Sequence, residues 1–299
     1  ERSYDAVHAV DEVALFAAFI GIHRKAPVMY HARRCFSGPA GYPPSVLWKI
    51  FPAYFGRLEK KVLVRSSAVF SHSPRLSLDL KERHGRVRTF EFNDVPLQSL
   101  VANNTDEPHQ LKKYFEVAPS HIVVFRVLSD TRKELGKTMR AVRKIADAVP
   151  ATAFFIIGQT GPDAENMAAS LDVKNRCAFL EQRQTEEFLA ALDVADVSVL
   201  LPDPDGRYVH EDVYTLLRAA VPLVAVKDAV YDDLLNSGNS IAVLSDAASI
   251  ADGVVQAIQE PLFSRSLAAQ GQQLIADRFS YSSFRHKFRM ACNEVFNKK

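Results

Sequence analysis

Short apolar runs at residues 121–125, 153–157, 177–180, 197–201 and 223–226 are separated by segments whose apolar positions recur at helical spacing. A final short run lies at 241–244. A run of this length that does not alternate with polar residues marks a strand covered on both faces. Helical segments between such strands are the crossovers that parallel pairing requires. The pattern therefore predicts a parallel α/β sheet whose ligand loops lie beyond the carboxyl ends of its strands.

The first hundred residues carry the same rhythm less regularly. They predict strands at 6–10, 26–31, 68–70 and 87–92, with helices at 12–22 and 75–84. Residues 33–44 hold Gly38, Gly41 and three prolines and read as an exposed loop. Residues 45–65 mix bulky apolar side chains with Lys49, Arg57, Lys60, Lys61 and Arg65. They read as an amphipathic helix interrupted near Pro52, its basic face open to solvent. The same composition suits a helix lying on an anionic membrane surface. A polar linker spans 103–120, and helices at 248–259, 267–278 and 281–297 end the chain. Because the chain opens on a strand, its N-terminal domain is either naturally short or missing its first βα units.

Composition narrows the class. With 47% hydrophobic and 24% charged residues, the 299-residue chain is an ordinary globular one with room for about two domains. A net charge of +2 gives no reason to expect a nucleic-acid partner. Cys35, Cys177 and Cys292 are odd in number and far apart. They make neither a metal-type pair nor a disulfide framework, which points to a reducing cytoplasm. No uncharged apolar stretch reaches the roughly 18 residues of a membrane span, and no signal-peptide pattern stands out. The expected location is cytoplasmic, with peripheral membrane contact through residues 45–65 as a further option.

Several local phrases, in a shared order, resemble the two-domain GT-B glycosyltransferases, specifically the retaining enzymes of family 4. Residues 58–73 resemble that family's helix, strand and serine turn late in the N-terminal domain, and 92–96 its phrase ahead of the linker. Residues 154–162 resemble its glycine-containing strand and turn, and 188–202 its apolar strand ending in proline. Val221-Pro-Leu-Val-Ala225 resembles the family's "G.PVVa", and Arg278-Phe-Ser-Tyr281 its "rFsw". The resemblance implies an α/β GT-B fold, two Rossmann-like domains facing across a cleft, the first short or truncated. Residues 1–118 would then be the acceptor side, 119–278 the nucleotide-sugar side, and 279–299 a helix crossing back.

The implied activity is transfer of a sugar from a UDP- or GDP-sugar to an unknown acceptor, in polysaccharide or glycoconjugate synthesis. No metal or other cofactor is expected, so the departing diphosphate needs cationic side chains and helix N-terminal amides. In the family an Arg and a Lys after the first C-domain strand serve this purpose. Here Val127 holds the arginine position, Arg126 is displaced by one residue, Lys133 best fits the lysine with Arg132 beside it, and Glu134 replaces a glycine. The family's two glutamates, eight positions apart, fall on Arg207 and Thr215. Asp203 and Glu211 keep the same interval four residues earlier, about one helical turn. The donor-binding candidates are therefore Arg126, Arg132, Lys133, Asp203, Glu211 and Thr215.

On the acceptor side the family often shows H-x-H-[DE] after a strand. The matching stretch is His8-Ala-Val-Asp11, in which the second histidine is Val10. His8 is expected to pack into the sheet. Asp11 and His31, both at strand ends, are the catalytic candidates. The missing histidine, glutamates and glycines leave two other readings open: a binding or regulatory subunit without transferase activity, and a sugar-nucleotide epimerase.

Overall fold

In a computed structural model the protein is described over residues 4–21, 26–32, 52–85, 87–91, 115, 119–129, 131–158, 161–181, 185–201 and 209–296. The chain forms two compact units, one of residues 1–95, 207–209 and 279–299, the other of 96–206 and 210–278.

The first unit holds a four-stranded parallel sheet, ordered β1 (Val7–Val10), β2 (Val28–Ala32), β3 (Ala68–Ser71), β4 (Thr89–Glu91). The connecting helices include α1 (Asp11–Gly21), α2 (Pro52–Arg65) and α3 (Pro74–His84). Side chains alternate across each strand, so Tyr30 and Val69 bury against Leu15, Leu63 and Leu76 of these helices. Met29, Ala68 and Phe70 face the other way, against the last helix, α10 (Tyr281–Phe296). That helix places Phe284, Phe288, Ala291 and Val295 on one stripe at helical spacing, which joins the two ends of the sequence in a single core. Residues 33–51, including the predicted loop and the start of the predicted basic helix, lie outside the described residues. So does most of the predicted linker.

The second unit is a six-stranded parallel sheet. Its strands are β5 (His121–Val127), β6 (Thr152–Gly158), β7 (Cys177–Glu181), β8 (Val197–Leu201), β9 (Leu223–Val226) and β10 (Ile241–Val243). They run in the order β10-β9-β8-β5-β6-β7. Every residue of β6 and β8 is buried, as apolar runs without alternation require. The intervening helices are α4 (Arg132–Ala148), α5 (Gly161–Ser170), α6 (Thr185–Asp193) and α7 (Asp212–Arg218), with α8 (Ala247–Gln259) and α9 (Pro261–Arg278) after the last strand. In α4, Leu135, Met139, Val142 and Ile145 repeat every three or four residues and seal onto Val123, Phe125 and Phe154. Burying side chains of this size contributes about 1.5–3 kcal/mol each.

Sequence pattern misjudged one start. The helix expected at 267 begins at Pro261, because proline is favoured in a first helical turn and the exposed Leu262 obscured the stripe.

Candidate functional site

In the second unit the strand order reverses at β5, which has β6 on one side and β8 on the other. The crevice beyond the carboxyl ends at such a switch point is where open α/β sheets take their ligands. Two helix starts meet the chain there, that of α4 after β5 and that of α7 after β8.

The start of α4 is capped by Thr131. Thr131 accepts a hydrogen bond from the Glu134 amide at 3.4 Å, and Glu134 itself is buried and bridged to Lys137. Arg132 and Lys133 occupy the first turn and are exposed. Among the described residues neither has an ion-pair partner. Two cations at the positive end of a helix cost a few tenths of a kcal/mol each, roughly, and an anion bound there offsets them.

Arg126 is placed differently. It is 3% exposed, its Nε donates to Asp212 of α7, and its Nη1 donates to the Ile157 carbonyl at 3.1 Å. Its guanidinium also lies over the Phe188 ring, 5.7 Å from the centroid. One buried cation thus ties the carboxyl ends of β5 and β6 to α6 and α7. His210 completes the cluster. Its Nδ1 accepts from the Asp212 amide at 3.3 Å and stands 3.4 Å from the Asp212 carboxylate. The imidazole can therefore accept from the backbone when neutral and face the carboxylate when protonated.

Glu211 immediately precedes α7, is exposed and makes no capping hydrogen bond, while Thr215 lies half-buried one turn further on. Asp203 and Arg207 lie outside the described residues. Sequence reasoning missed Asp212 and His210 as members of the site. An acid at a helix start has a sufficient local explanation in the helix dipole, and nothing nearby in sequence points to Arg126.

In the first unit His31 stands on β2, and its ring is 6.0 Å from that of His8, the two planes within 9°. The edge of Phe70 packs on His8 at 5.7 Å and Phe288 at 6.3 Å, while another side of the imidazole stays open to water. Asp11 begins α1 directly after β1; its side chain lies outside the described residues. The aromatic packing on His8 lowers its affinity for a proton below the usual value of 6.5. The unfolded chain then takes up that proton first, so the folded state loses stability as pH falls through 6.5 and is unaffected well above it. Urea unfolding of the wild type and His8→Gln should show their difference in stability changing between pH 7.5 and 5.5, to the disadvantage of the wild type. A difference that does not move with pH would count against this environment.

The described thiols are poor nucleophiles. Burial pushes Cys177 up to about 12 and raises Cys292 as well. Among the described residues no three metal-binding side chains cluster, and no helix is long and apolar enough to cross a membrane.

No protein-family model matches the sequence, and no curated protein matches it. Solved structures do match in fold. Sucrose-phosphate synthase from Thermosynechococcus elongatus aligns at TM-score 0.76 and 16% identity, over 99% of this chain and 75% of that one. HepE from Anabaena, in complex with UDP-glucose, aligns at 0.71 and 17%, over 97% and 79%. WaaG, a glycosyltransferase involved in lipopolysaccharide biosynthesis, aligns at 0.66 and 11%, over 94% and 80%. The fold is that of the GT-B glycosyltransferases, with two parallel α/β units and a short first one.

Proposed function

We propose that this chain is a glycosyltransferase of the retaining family 4 type, moving a sugar from a UDP- or GDP-sugar to an acceptor. Residues 119–278 bind the donor in this reading, and the first unit offers Asp11 and His31 to the acceptor. The observation that carries it is the pair of exposed cations, Arg132 and Lys133, without an ion-pair partner among the described residues, on a helix start at the switch point of the second sheet. A diphosphate suits that place on charge, and the α4 amides add donors to the same oxygens. As a sugar leaves, negative charge grows on the diphosphate, so these groups stabilise the transition state more than the ground state. Glu211 and Thr215, one turn apart, are assigned to the ribose hydroxyls, and Arg126 to holding the crevice rather than touching phosphate. A cytoplasmic enzyme of polysaccharide or glycoconjugate synthesis fits the reading, with no metal required.

Calorimetric titration of the full chain with UDP and GDP tests it. One nucleotide should bind, and Lys133→Ala should weaken binding by about 1.5–3 kcal/mol, the range for hydrogen bonds to charged groups. A folded sample that binds neither nucleotide defeats the proposal. Binding without sugar transfer or donor hydrolysis would instead mark a binding subunit.

A further inference from the structure

At the β9–β10 edge of the second sheet lies a cavity that donor binding does not use. Its volume is about 360 Å³, and it is lined by β9, β10 and the segment 227–240 that connects them. Ala225 and Ala242 stand opposite each other in the register of the two strands, and both line the cavity. Side chains alternate across a strand, so this face is the one turned away from Val224 and Val243, which pack with Ile250 and Val254 of α8. Two alanines leave the space open, and Tyr231 and Leu235 of the connecting segment enclose it. Lys227, Asp228 and Asp232 line the same cavity. Among the described residues none of the three makes an ion pair, with one another or with any other group. The Asp228 Oδ1 accepts from the Val230 amide at 2.9 Å, which fixes that carboxylate in place.

We infer that this cavity binds a small zwitterion with an apolar body, of the class of the aliphatic α-amino acids. The ligand carboxylate pairs with Lys227, its ammonium with Asp228 and Asp232, and its side chain lies on Ala225, Ala242 and Leu235. A cation and two carboxylates that share a cavity without pairing are complementary to a molecule carrying both signs. Two acids against one base disfavour a phosphate. A monosaccharide would leave hydroxyls unpaired on the alanine floor and lose their hydration. The volume is at the small end for ligand cavities, which begin near about 300 Å³. β9 is two strands from β5, roughly 10 Å at the spacing of paired strands, so the cavity is set apart from the start of α4. The inference does not rest on the transferase reading, because neither its residues nor its ligand involves a nucleotide.

Calorimetric titration of the full chain with L-leucine tests it. Leucine should bind with a dissociation constant of about 1 mM or tighter. Isoamylamine, which lacks the carboxylate, and 4-methylpentanoate, which lacks the ammonium, should each bind about tenfold more weakly or worse. Glucose should not bind. Lys227→Met and Asp232→Asn should each weaken leucine binding by about tenfold or more. Both positions are exposed, so the melting temperature of the unliganded chain should stay unchanged. Ala242→Phe, at an exposed position of the edge strand, fills the cavity and should abolish binding with the fold intact. A folded wild-type chain that does not bind leucine overturns the inference. Leucine binding that survives Ala242→Phe overturns it by placing the ligand elsewhere. Isoamylamine binding as tightly as leucine also overturns it, in favour of a plain acidic patch, and glucose binding in place of leucine does so in favour of a polyol site.

Discussion

Asp212→Ala is expected to lower the unfolding free energy by about 3 kcal/mol, the low end for breaking a buried ion pair. The partner left behind is Arg126, 3% exposed, and a guanidinium has no neutral form to which it can retreat. Its remaining contacts are the Ile157 carbonyl at 3.1 Å, the Val127 carbonyl at 3.4 Å and the face of Phe188. These satisfy protons but supply no counter-charge. Asp212 keeps 17% exposure, so water offsets part of the loss, which sets the estimate at the low end. Arg126→Met combined with Asp212→Leu should recover most of the stability, since a packed apolar pair avoids the desolvation cost altogether. Urea unfolding of the two single variants and the double variant closes the cycle. A loss under about 1 kcal/mol for Asp212→Ala would mean the pair behaves as a surface bridge.

Gly158→Ala should be at least as damaging, and for a steric reason. A Cβ at Gly158 would stand 2.3 Å from the Val127 carbonyl oxygen, far inside any tolerated contact. The obstruction is the backbone of the paired strand, held by the β5–β6 register, and cannot rotate away. Accommodating one methyl group requires β5 and β6 to separate at their carboxyl ends, where Arg126 reaches both carbonyls. About 3 kcal/mol, the upper end for overpacking, is expected, with weaker nucleotide binding alongside. Gly136→Ala within α4 supplies the contrast. Its nearest neighbour is the far end of Arg140 at 3.4 Å, so the helix should gain about 0.5–1 kcal/mol. Thermal unfolding of the two variants should move in opposite directions. A Gly158→Ala chain as stable as the wild type would show that the two strands are less tightly held than described.

Much of the architecture is legible in the sequence. Strands such as 153–157 and 197–201 are written as uninterrupted apolar runs, and their places came out within a residue or two. The stripe on α4 is equally local. Less of the candidate site was legible. Lys133 and Arg132 enter as donor candidates through the resemblance alone, and the structure places them exposed at a helix start. His210 and Asp212 were passed over, and the assignment of Arg126 to phosphate could not anticipate that its guanidinium would be taken up by a carboxylate 86 residues away.

That division has a physical cause. Helix and strand depend on periods of 3.6 and 2 along a few neighbouring residues, so the order of residues was enough to settle the elements, the covered faces and the class of fold. Strand order, the meeting of Arg126 with Asp212, and the stacking of His8 beside His31 are settled by packing. Each of these contacts pairs residues whose separation in sequence carries no period, and whose cost of burial is offset only once the crossovers have brought them together.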